Sequence, residues 1–358
     1  MSTRPRISFD DRGLCNACVW AEKKQDLDWA EREAKLEQLL NLYRRSDGSF
    51  DCIVPVSGGK DGSYVAHTLK TKWGMNPLSV TIKPPLPTEL GEANLQAFIA
   101  SGFPHMAVSP DPEAMRTLNK RGLIDMGFPY YGWLIAIETG PLEIAARFDC
   151  GLIFYGEDGE VEYGGSQEST SEPAISFDYV KRVYFEAGYD MVVNNTGLAR
   201  GKLRFFEFPA EELFKGRPPQ RLNWSYFENW DPYRNYLVAK EFCGLKEANQ
   251  SNAGTFTNFA QNDQLLYALH TYLMYLKFGF GRANQDASIE VRRGAMDRDQ
   301  ACELVRIYDG VYPEELEAVY LEYFQMSADQ FHKVLNRWTN LELFTLEGNN
   351  RVARFSLR

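Results

Sequence analysis

The sequence predicts an α/β fold in which a doubly wound parallel sheet is followed by a mainly helical C-terminal region. Between residues 52 and 155, short apolar segments alternate with segments of helical periodicity, which is the pattern of consecutive βα units. After about residue 172 the helical segments continue without clear strands. At 358 residues the chain is long enough for two domains, or for one domain with a large appendage.

The individual elements follow from local patterns along the chain. Short apolar runs bounded by turn residues are typical of buried strands, and apolar residues three or four positions apart are typical of helices. The predicted strands cover 52–56, 77–82, 105–108 and 151–155. The predicted helices cover 26–45, 64–73, 92–101, 112–121, 133–148 with an interruption at Gly140-Pro141, 179–188, 263–278, 298–308, 313–323 and 327–335. We therefore expect three parts: 1–47 with an irregular start and one helix, 48–172 with the sheet, and the mainly helical 173–358.

Composition excludes several classes of protein. Hydrophobic residues make up 44% of the chain and aromatic residues 14%, which is ample for a large core. A net charge of −10 argues against broad binding to nucleic acid or to anionic membranes. No apolar run is long enough to span a bilayer, and no secretory signal is recognisable. Six cysteines in a chain of this length do not resemble a disulfide framework, so we expect a cytoplasmic protein.

The most informative motif is a small-residue turn, residues 57–63, which directly follows the first predicted strand. A turn that opens a helix presents backbone N–H groups at the positive end of the helix dipole, and this makes an anion site. Glycine allows the backbone to approach a phosphate closely. The candidate ATP-binding residues are Ser57, Gly58, Gly59, Gly62 and Ser63, and the candidate catalytic residues are Lys60 as a cation and Asp61 as a magnesium ligand. The turn therefore predicts ATP activation of an oxygen.

The same residues, SGGKDGS, resemble the SGGxDS loop of the PP-loop ATP pyrophosphatases, whereas the GxxxxGK[ST] spacing of the common P-loop is absent. The resemblance implies a fold of the PP-loop, adenine nucleotide alpha hydrolase-like type. It also implies that the loop holds the β- and γ-phosphates while ATP is cleaved between its α- and β-phosphates. Gly62 stands where that family usually has serine, so Ser63 is the candidate to supply the missing hydroxyl.

An acidic loop, residues 156–165, follows the fourth predicted strand and contains four carboxylates. Such a cluster is either a solvated surface turn or a set of groups that are paired or bind metal. Ligands of doubly wound sheets bind at the carboxyl ends of the strands, where both this loop and the small-residue turn are expected. Glu157 and Glu162 are the preferred pair, as ligands for Mg²⁺ or for polar substrate groups.

Two further patterns suggest binding sites. Cys15 and Cys18 have the spacing of half a zinc site, which needs four ligands, and Cys243 or His105 could contribute in space. Between 277 and 293, basic residues surround a Gly-Phe-Gly turn. Arginines in this cluster could bind carboxylate or phosphate, or could form structural ion pairs with Asp286 and Glu290.

Together these pieces resemble the N-acetyl sugar amidotransferases of bacterial surface-polysaccharide biosynthesis, the WbpG-like and PseA-like proteins. The matching stretches occur in order along most of the chain: 4–10, 13–18, 56–63, 156–158, 162–164, 254–259, 277–282 and 289–292. The resemblance implies an ATP-binding domain at 48–172 and a substrate or partner region at 173–358. It implies that AMP is transferred to the oxygen of an acetamido group, and that ammonia then displaces AMP to leave an acetamidino group.

The resemblance also implies particular partners, cofactors and residue roles. The substrate would be an N-acetylated sugar or sugar nucleotide, and ammonia would come from a glutaminase subunit through a partner resembling the histidine-pathway synthase. ATP and Mg²⁺ would be required, Asp61 would position Mg²⁺, and Cys15 and Cys18 are candidate zinc ligands. The candidate substrate-binding residues are Glu157, Glu162, Tyr163, Lys277, Arg282 and Arg292.

Two other functions remain open from the sequence. A tRNA thiolation or modification enzyme would share the phosphate loop and the CxxC, but the acidic balance and the lack of an evident basic segment count against RNA binding. A non-catalytic ATP-binding subunit would bind ATP without turnover. His67 and His270 are expected to be ordinary packed or surface residues rather than catalytic bases.

Overall fold

The computed structural model describes residues 3–194 and 196–356, and within them the central feature is a six-stranded sheet. The strand order is β3-β2-β1-β4-β6-β5, and all neighbouring pairs are parallel except β5 with β6. The strands are β1 Cys52–Pro55, β2 Pro77–Ile82, β3 His105–Val108, β4 Leu152–Tyr155, β5 Ala174–Ile175 and β6 Gln220–Asn223. The predicted α/β class with a mainly parallel sheet is confirmed.

The last two strands of the sheet were not predicted. β6 pairs in parallel with β4, in the register Leu152 opposite Gln220, and β5 forms a short antiparallel edge against β6. β5 has only two residues, and β6 contains the buried Arg221, which no apolar pattern would reveal. Arg221 is held by Glu138 through bonds of 2.9 and 3.0 Å, so its charge is paired inside the core.

Helices cover both faces of the sheet. The helices are α1 Asn16–Asp26, α2 Trp29–Tyr43, α3 Lys60–Thr71, α4 Glu89–Ala100, α5 Pro112–Met126, α6 Tyr131–Phe148, α7 Gly159–Tyr163, α8 Phe177–Tyr179, α9 Tyr189–Val193, α10 Pro232–Cys243, α11 Leu266–Phe278, α12 Arg282–Arg292, α13 Arg298–Tyr308, α14 Glu317–Phe324 and α15 Ala328–Arg337. Short 3₁₀ segments lie at Glu168–Thr170, Arg200–Phe206, Glu211–Leu213, Trp224–Tyr226 and Glu314–Leu316, and one π-helical turn at Val180–Tyr184. A hairpin of β7 Phe344–Glu347 and β8 Asn350–Ala353 follows.

Alternate residues of β1 and β4 enter two different hydrophobic cores, as the pleat of a strand requires. Val54 of β1 packs in a core with residues of α2, α3 and α4. Its neighbour Ile53 packs in a larger core with α5 and α6. Helices α11, α14 and α15 add Leu273, Phe324 and Phe331 to that larger core, so the C-terminal helices and the sheet share apolar packing.

Two local predictions were wrong. Residues 1–25 were expected to be irregular, but α1 begins at Asn16 after Cys15, although its apolar periodicity is weak. Helix α6 was expected to be interrupted at Gly140-Pro141, yet it runs through Pro141 without a break. Gly140 lies against Ile82, where an added Cβ would be 2.4 Å from Ile82 Cδ1, so the close packing of α6 on β2 explains the glycine.

None of the helices within the described residues is both long and apolar enough to span a membrane.

Candidate functional site

The small-residue turn connects the carboxyl end of β1 to the first residue of α3. Val56 N donates to Val80 O over 2.9 Å, which ties the start of the turn to β2. Gly58 has φ +80° and its Cα faces α4, where an added Cβ would be 2.4 Å from Leu95 N. Both the backbone angle and the contact require glycine here. The backbone amides at the start of α3 therefore lie at a helix N-terminus, where an anion would be favoured.

Gly62 is also required by packing. A Cβ at this position would be 2.7 Å from Pro55 O and 3.0 Å from Val56 Cα, because α3 lies directly on the end of β1. The expected substitute hydroxyl, Ser63, is fully buried, its Oγ has no partner among the described residues, and it does not face the cavity beside the loop. The structure therefore does not bring Ser63 to the phosphate site, whereas Gly62 lines it.

A cavity of about 210 Å³, here called the loop cavity, opens in front of the turn. Its walls come from the turn, from α4, from the segment before α11, and from single residues of other elements. The lining residues are Ser57, Gly58, Gly59, Lys60, Asp61, Gly62, Gly91, Asn94, Glu157, Leu245, Phe259, Ala260, Gln261, Asn262, Asp263, Tyr267 and Arg282. The predicted phosphate-binding residues other than Ser63 thus face one cavity.

Lys60 and Asp61 form an ion pair at the start of α3. Lys60 is buried, and the Asp61 side chain is 33% exposed, so Asp61 is the more accessible of the two. Asn235 Nδ2 of α10 donates to Asp61 Oδ1 over 3.3 Å. One carboxylate beside phosphate oxygens is a common setting for Mg²⁺, so Asp61 fits the predicted magnesium ligand.

Two of the four carboxylates in the acidic loop after β4 are held in hydrogen bonds and ion pairs within the fold. Asp158 caps α7 by accepting from Glu160 N, and Tyr184 donates to it over 3.0 Å. Glu160 is bound by Arg6 at 2.8 and 3.0 Å and by Ser166 N at 2.8 Å. These two carboxylates hold the loop in place and face none of the cavities that Glu157 lines.

Glu157 is the carboxylate of this loop that joins the cavities. It lines the loop cavity, a second cavity of about 280 Å³ and a narrow cleft of about 30 Å³, here called the side cavity and the aromatic cleft. The Tyr163 hydroxyl donates to Glu157 Oε1 over 3.1 Å. Burial, with the negative charge of Asp61, raises the pKa of Glu157, and burial raises that of Tyr163 well above its usual range.

The side cavity lies between α1, α7, α12 and the segment before α10. Its lining residues are Ala21, Lys24, Gln25, Glu157, Glu162, Asn229, Trp230, Asp231, Pro232, Ile289, Arg292 and Arg293. Glu162 accepts from Trp20 Nε1 at 3.0 Å and from Lys24 Nζ at 2.8 Å, and Arg292 donates to the Glu162 carbonyl at 3.0 Å. The predicted residues Glu157, Glu162 and Arg292 thus meet in one polar cavity.

Arg282 and Lys277, both among the candidate substrate-binding residues, lie in different places. Arg282 lines the loop cavity and the aromatic cleft and pairs with Asp286 at 2.8 Å. Burial lowers the pKa of Arg282, but the neighbouring Asp286, Tyr163 and Glu157 raise it by more, so the pKa lies above its usual value. The ion pair with Asp286 is therefore confirmed for this arginine, while its binding of a ligand stays a prediction.

Lys277 was expected to bind substrate, and the structure places it elsewhere. It is the last basic residue of α11, and its Nζ donates to Met126 O over 2.9 Å and lies 5.2 Å from the Trp338 ring centre. It lines none of the three cavities. Gly279 ends α11 in a left-handed conformation. Arg282, which follows this turn, lines the loop cavity, whereas Lys277, which precedes it, does not.

The CxxC segment supplies two thiols. The Sγ atoms of Cys15 and Cys18 are 3.5 Å apart, and burial and the neighbouring Cys15 raise the pKa of Cys18. No cluster of three or more His, Cys, Asp or Glu side chains suited to a metal occurs within 3–194 and 196–356. A structural zinc site needs four ligands, so the described residues do not fit one here.

The histidines behave as expected for packed residues. His67 stacks on Phe242 at 4.7 Å, and His270 packs against Phe128 and Tyr130 at 4.5 and 4.9 Å. Burial lowers the pKa of His270 to about 3, so it is neutral near pH 7.

Several residues of the cavities were not found from the sequence. Asp263 and Asn94 line the loop cavity, and Lys24 and Trp230 line the side cavity. Asp263 precedes α11 by three residues and gave no motif signal, while Lys24 lies on a helix that was not predicted. Their roles depend on contacts between segments far apart in the chain.

Comparison with known families identifies the C-terminal part of the chain. Residues 253–355 match the family model described as LPS biosynthesis protein WbpG-like, C-terminal domain. The matched segment contains Asp263, Arg282 and Arg292, and so contributes walls to both the loop cavity and the side cavity. The resemblance to WbpG-like proteins is confirmed for this segment.

Other similarities are more distant. An uncharacterized protein of Methanocaldococcus jannaschii is 28% identical over 80 residues, which is 22% of this chain and 28% of that protein. A predicted subunit of tRNA methyltransferase from the same organism has 15% identity and a TM-score of 0.28, with 62% of this chain and 86% of that chain covered. The U34-tRNA thiolase NcsA from Methanococcus maripaludis, solved with its [4Fe-4S] cluster, has 13% identity and a TM-score of 0.36. The match covers 74% of this chain and 77% of that chain.

Proposed function

We propose that this protein is an ATP-dependent amidotransferase that converts an acetamido group of a bacterial surface sugar to an acetamidino group. In the first step the amide oxygen attacks the α-phosphorus of ATP, the bond to the β-phosphate breaks and pyrophosphate leaves. In the second step ammonia adds to the activated carbon and the bond from that carbon to the AMP oxygen breaks. The products are the amidine, AMP and pyrophosphate.

The observation that carries this proposal is the position of Glu157. It forms part of the wall of the loop cavity, where a triphosphate would meet the turn, and part of the wall of the polar side cavity. Transfer of AMP to an acceptor needs two substrates bound side by side, with the reacting atoms close together. Two cavities that meet at one carboxylate provide that arrangement.

The loop residues suit the first step. Lys60 and the backbone amides at the start of α3 are placed to stabilise negative charge on the leaving pyrophosphate. Asp61 is the side chain that would hold Mg²⁺, whose charge would offset that of the triphosphate. Arg282, which shares the loop cavity, adds a second cation near the reacting phosphate.

The side cavity suits a polar acceptor. Lys24, Arg292 and Arg293 supply donors, and Glu157 and Glu162 supply acceptors, around the ring of Trp230. Sugars combine hydroxyl groups with apolar ring faces, so mixed polar and aromatic walls are appropriate for them. The WbpG-like match of residues 253–355, which include Arg292 and Arg293, supports a sugar of surface-polysaccharide biosynthesis as the acceptor.

The source of ammonia is part of the proposal. By resemblance to the WbpG-like and PseA-like proteins, a separate glutaminase subunit would release ammonia and a partner resembling the histidine-pathway synthase would deliver it. The chain on its own should then use ammonium salts, while glutamine alone should not support the reaction.

The direct test is to incubate the protein with ATP, Mg²⁺, ammonium and a panel of N-acetyl and diacetamido sugar nucleotides. We expect AMP and pyrophosphate in equal amounts, together with a sugar in which NH has replaced one oxygen by mass spectrometry. Release of ADP and phosphate would exclude the mechanism. Co-purifying tRNA that becomes modified would favour the RNA-modification alternative, and ATP binding without turnover would favour the non-catalytic one.

Matched variants locate the chemistry. Lys60→Ala and Asp61→Asn should each abolish release of pyrophosphate, whereas Lys70→Ala, an exposed lysine of the same helix, should retain it. Thermal unfolding of all three variants shows whether the fold is intact. Full activity in the Lys60→Ala, Asp61→Asn double variant would exclude the turn from the mechanism.

A further inference from the structure

One carboxylate in the wall of the loop cavity has no role in the proposed reaction. Asp263 belongs to the segment before α11, which is paired with residues 86–88 in the connection from β2 to α4. Thr88 N donates to Asp263 O over 3.2 Å, and Leu265 N donates to Leu86 O over 2.9 Å. Gly91 of α4 lies so close that an added Cβ would be 2.5 Å from Asp263 Cα. The position of Asp263 in the wall is therefore set by backbone contacts.

One oxygen of the Asp263 carboxyl group lacks a partner among the described residues. No described residue donates a hydrogen bond to its Oδ2, which is fully buried, while the residue as a whole is partly exposed and lines the cavity. Burial raises the pKa of Asp263 to about 6, and the nearby Tyr267 hydroxyl acts in the opposite direction. Arg282, the cation on the same cavity wall, pairs with Asp286 instead. A buried carboxyl oxygen without a donor is costly, and a ligand that donates a hydrogen bond to the Asp263 carboxyl group would offset this cost.

The surroundings of Asp263 suit a nucleoside better than a phosphate. Beyond the turn, the cavity wall contains Leu245, Phe259 and Tyr267, which offer apolar and aromatic surface. A base has apolar faces, and a nucleoside carries hydrogen-bond donors on its ribose and, in adenine, on its amino group. A carboxylate would repel phosphate but accept from either kind of donor.

The topology places Asp263 on the appropriate side. The turn follows β1, Glu157 and the side cavity follow β4, and Asp263 is held by residues 86–88, in the connection that follows β2. β2 and β4 flank β1 on opposite sides in the sheet. With the β- and γ-phosphates on the turn and the acceptor on the β4 side, the nucleoside would extend along the β2 side toward Asp263.

We propose that Asp263 accepts a hydrogen bond from the nucleoside part of ATP, from a ribose hydroxyl or from the adenine amino group. This inference rests on the ATP site of the proposed function but not on the acceptor or on ammonia. It makes Asp263 a residue that determines nucleotide specificity, contributed by the WbpG-like segment rather than by the sheet.

Calorimetric titration with Mg²⁺-nucleotides tests this without turnover. The full chain should bind ATP, and its affinity should fall about 10- to 100-fold for one of 2′-deoxyATP, 3′-deoxyATP and inosine triphosphate, since a hydrogen bond to a charged group is lost. The analogue that loses affinity identifies the donor. Equal affinity for ATP and all three analogues would overturn the proposal, whatever any variant does.

Variants complete the test as a thermodynamic cycle. The Asp263→Ala variant should bind ATP about as weakly as the unaltered protein binds the analogue that identifies the donor. The variant should bind that analogue with nearly the same affinity as it binds ATP. Glu92→Gln, an exposed carboxylate of α4, should bind all four nucleotides like the unaltered protein. A uniform loss for all four nucleotides, or a loss seen only when Mg²⁺ is present, would overturn the proposal in favour of a phosphate or metal role.

Folding and function can be separated in this experiment. If Asp263→Ala does not fold, Asp263→Asn keeps the size of the side chain and removes its charge, and should show the same analogue pattern with a smaller loss. If the protein binds ATP with the expected discrimination but transfers AMP to no sugar, the proposed function fails and the role of Asp263 stands. A change in the ammonium requirement with unchanged nucleotide affinity would instead assign Asp263 to ammonia and overturn the inference.

Discussion

Tyr163 donates its hydroxyl hydrogen to Glu157 Oε1 over 3.1 Å, and this bond fixes the carboxylate at which the loop cavity and the side cavity meet. Tyr163 is the last residue of α7, and the guanidinium carbons of Arg4 and Arg282 are 5.7 and 5.8 Å from the centre of its ring. A short helix thus links the N-terminal segment and the WbpG-like segment to a single side chain of the site.

Tyr163→Phe should reduce turnover while leaving ATP affinity unchanged. Without the hydroxyl, Glu157 loses its hydrogen-bond donor and its orientation, which corresponds to roughly a tenfold lower kcat for a hydrogen bond of about 1.4 kcal/mol. Steady-state kinetics and calorimetric ATP titration measure the two effects separately. Tyr226→Phe, which removes a hydroxyl bonded to Ser171 O away from these cavities, is the control. Equal losses in both variants would contradict the positioning role.

Gly62→Ser should destabilise the protein although it restores the residue that PP-loop proteins usually carry. The new Cβ would be 2.7 Å from Pro55 O, a backbone atom that cannot move without disturbing the end of β1. Overpacking of this kind costs about 1–3 kcal/mol in the free energy of unfolding. Gly201→Ser is the matched control, because nothing lies within 4 Å of a Cβ there. Denaturant unfolding compares the two, and equal stability would show that α3 can shift.

Asp309 predicts a pH dependence of stability. Its carboxylate accepts from Gly281 N at 2.7 Å and from Asn284 N at 3.4 Å, at the start of α12, yet burial raises its pKa to about 6. The folded state then holds the proton more tightly than the unfolded state, so the stabilisation present at low pH is lost as the pH rises through about 6.

Asp309→Asn keeps an acceptor oxygen but cannot titrate. Its free energy of unfolding should therefore fall less than that of the unaltered protein between about pH 5 and about pH 7.5, by up to about 1.4 kcal/mol. Denaturant titrations at both pH values give this difference. Asp329→Asn, on an exposed turn of α15, should retain the original pH dependence. An unchanged pH slope in Asp309→Asn would show that other carboxyl groups cause it.

The parts of the fold predicted from the sequence are those with strong local patterns. The first four strands and most long helices were found, because their apolar residues follow regular periods. β6 was missed because its buried Arg221 is compensated by Glu138, a partner 83 positions away that no local window contains. α1 was missed because it is anchored by contacts such as Lys24 with Glu162 rather than by a clear apolar face.

In the candidate site, too, features with a local sequence pattern were predicted and features that depend on distant contacts were not. The strand–turn–helix conformation of residues 57–63 was predicted, because backbone geometry and glycine spacing are local properties, while its binding of phosphate stays a prediction. Ser63 was misplaced since its direction depends on how α3 packs on β1. Asp263 was missed since it enters the loop cavity only through the backbone pairing of its segment with residues 86–88.

Arg292 and Lys277 give opposite expectations, although the sequence presents them as members of one basic cluster. Arg292 lines the side cavity, so Arg292→Met should raise the KM for the sugar about tenfold or more, as expected for loss of a charged hydrogen bond. Lys277→Met should leave that KM unchanged and lower the free energy of unfolding by about 1 kcal/mol, because it loses the bond to Met126 O and the contact with Trp338. Kinetics with the sugar identified by the product assay, and denaturant unfolding, measure both variants in parallel. A raised sugar KM in Lys277→Met with normal stability would mean that the substrate reaches the end of α11, and would place the acceptor outside the side cavity.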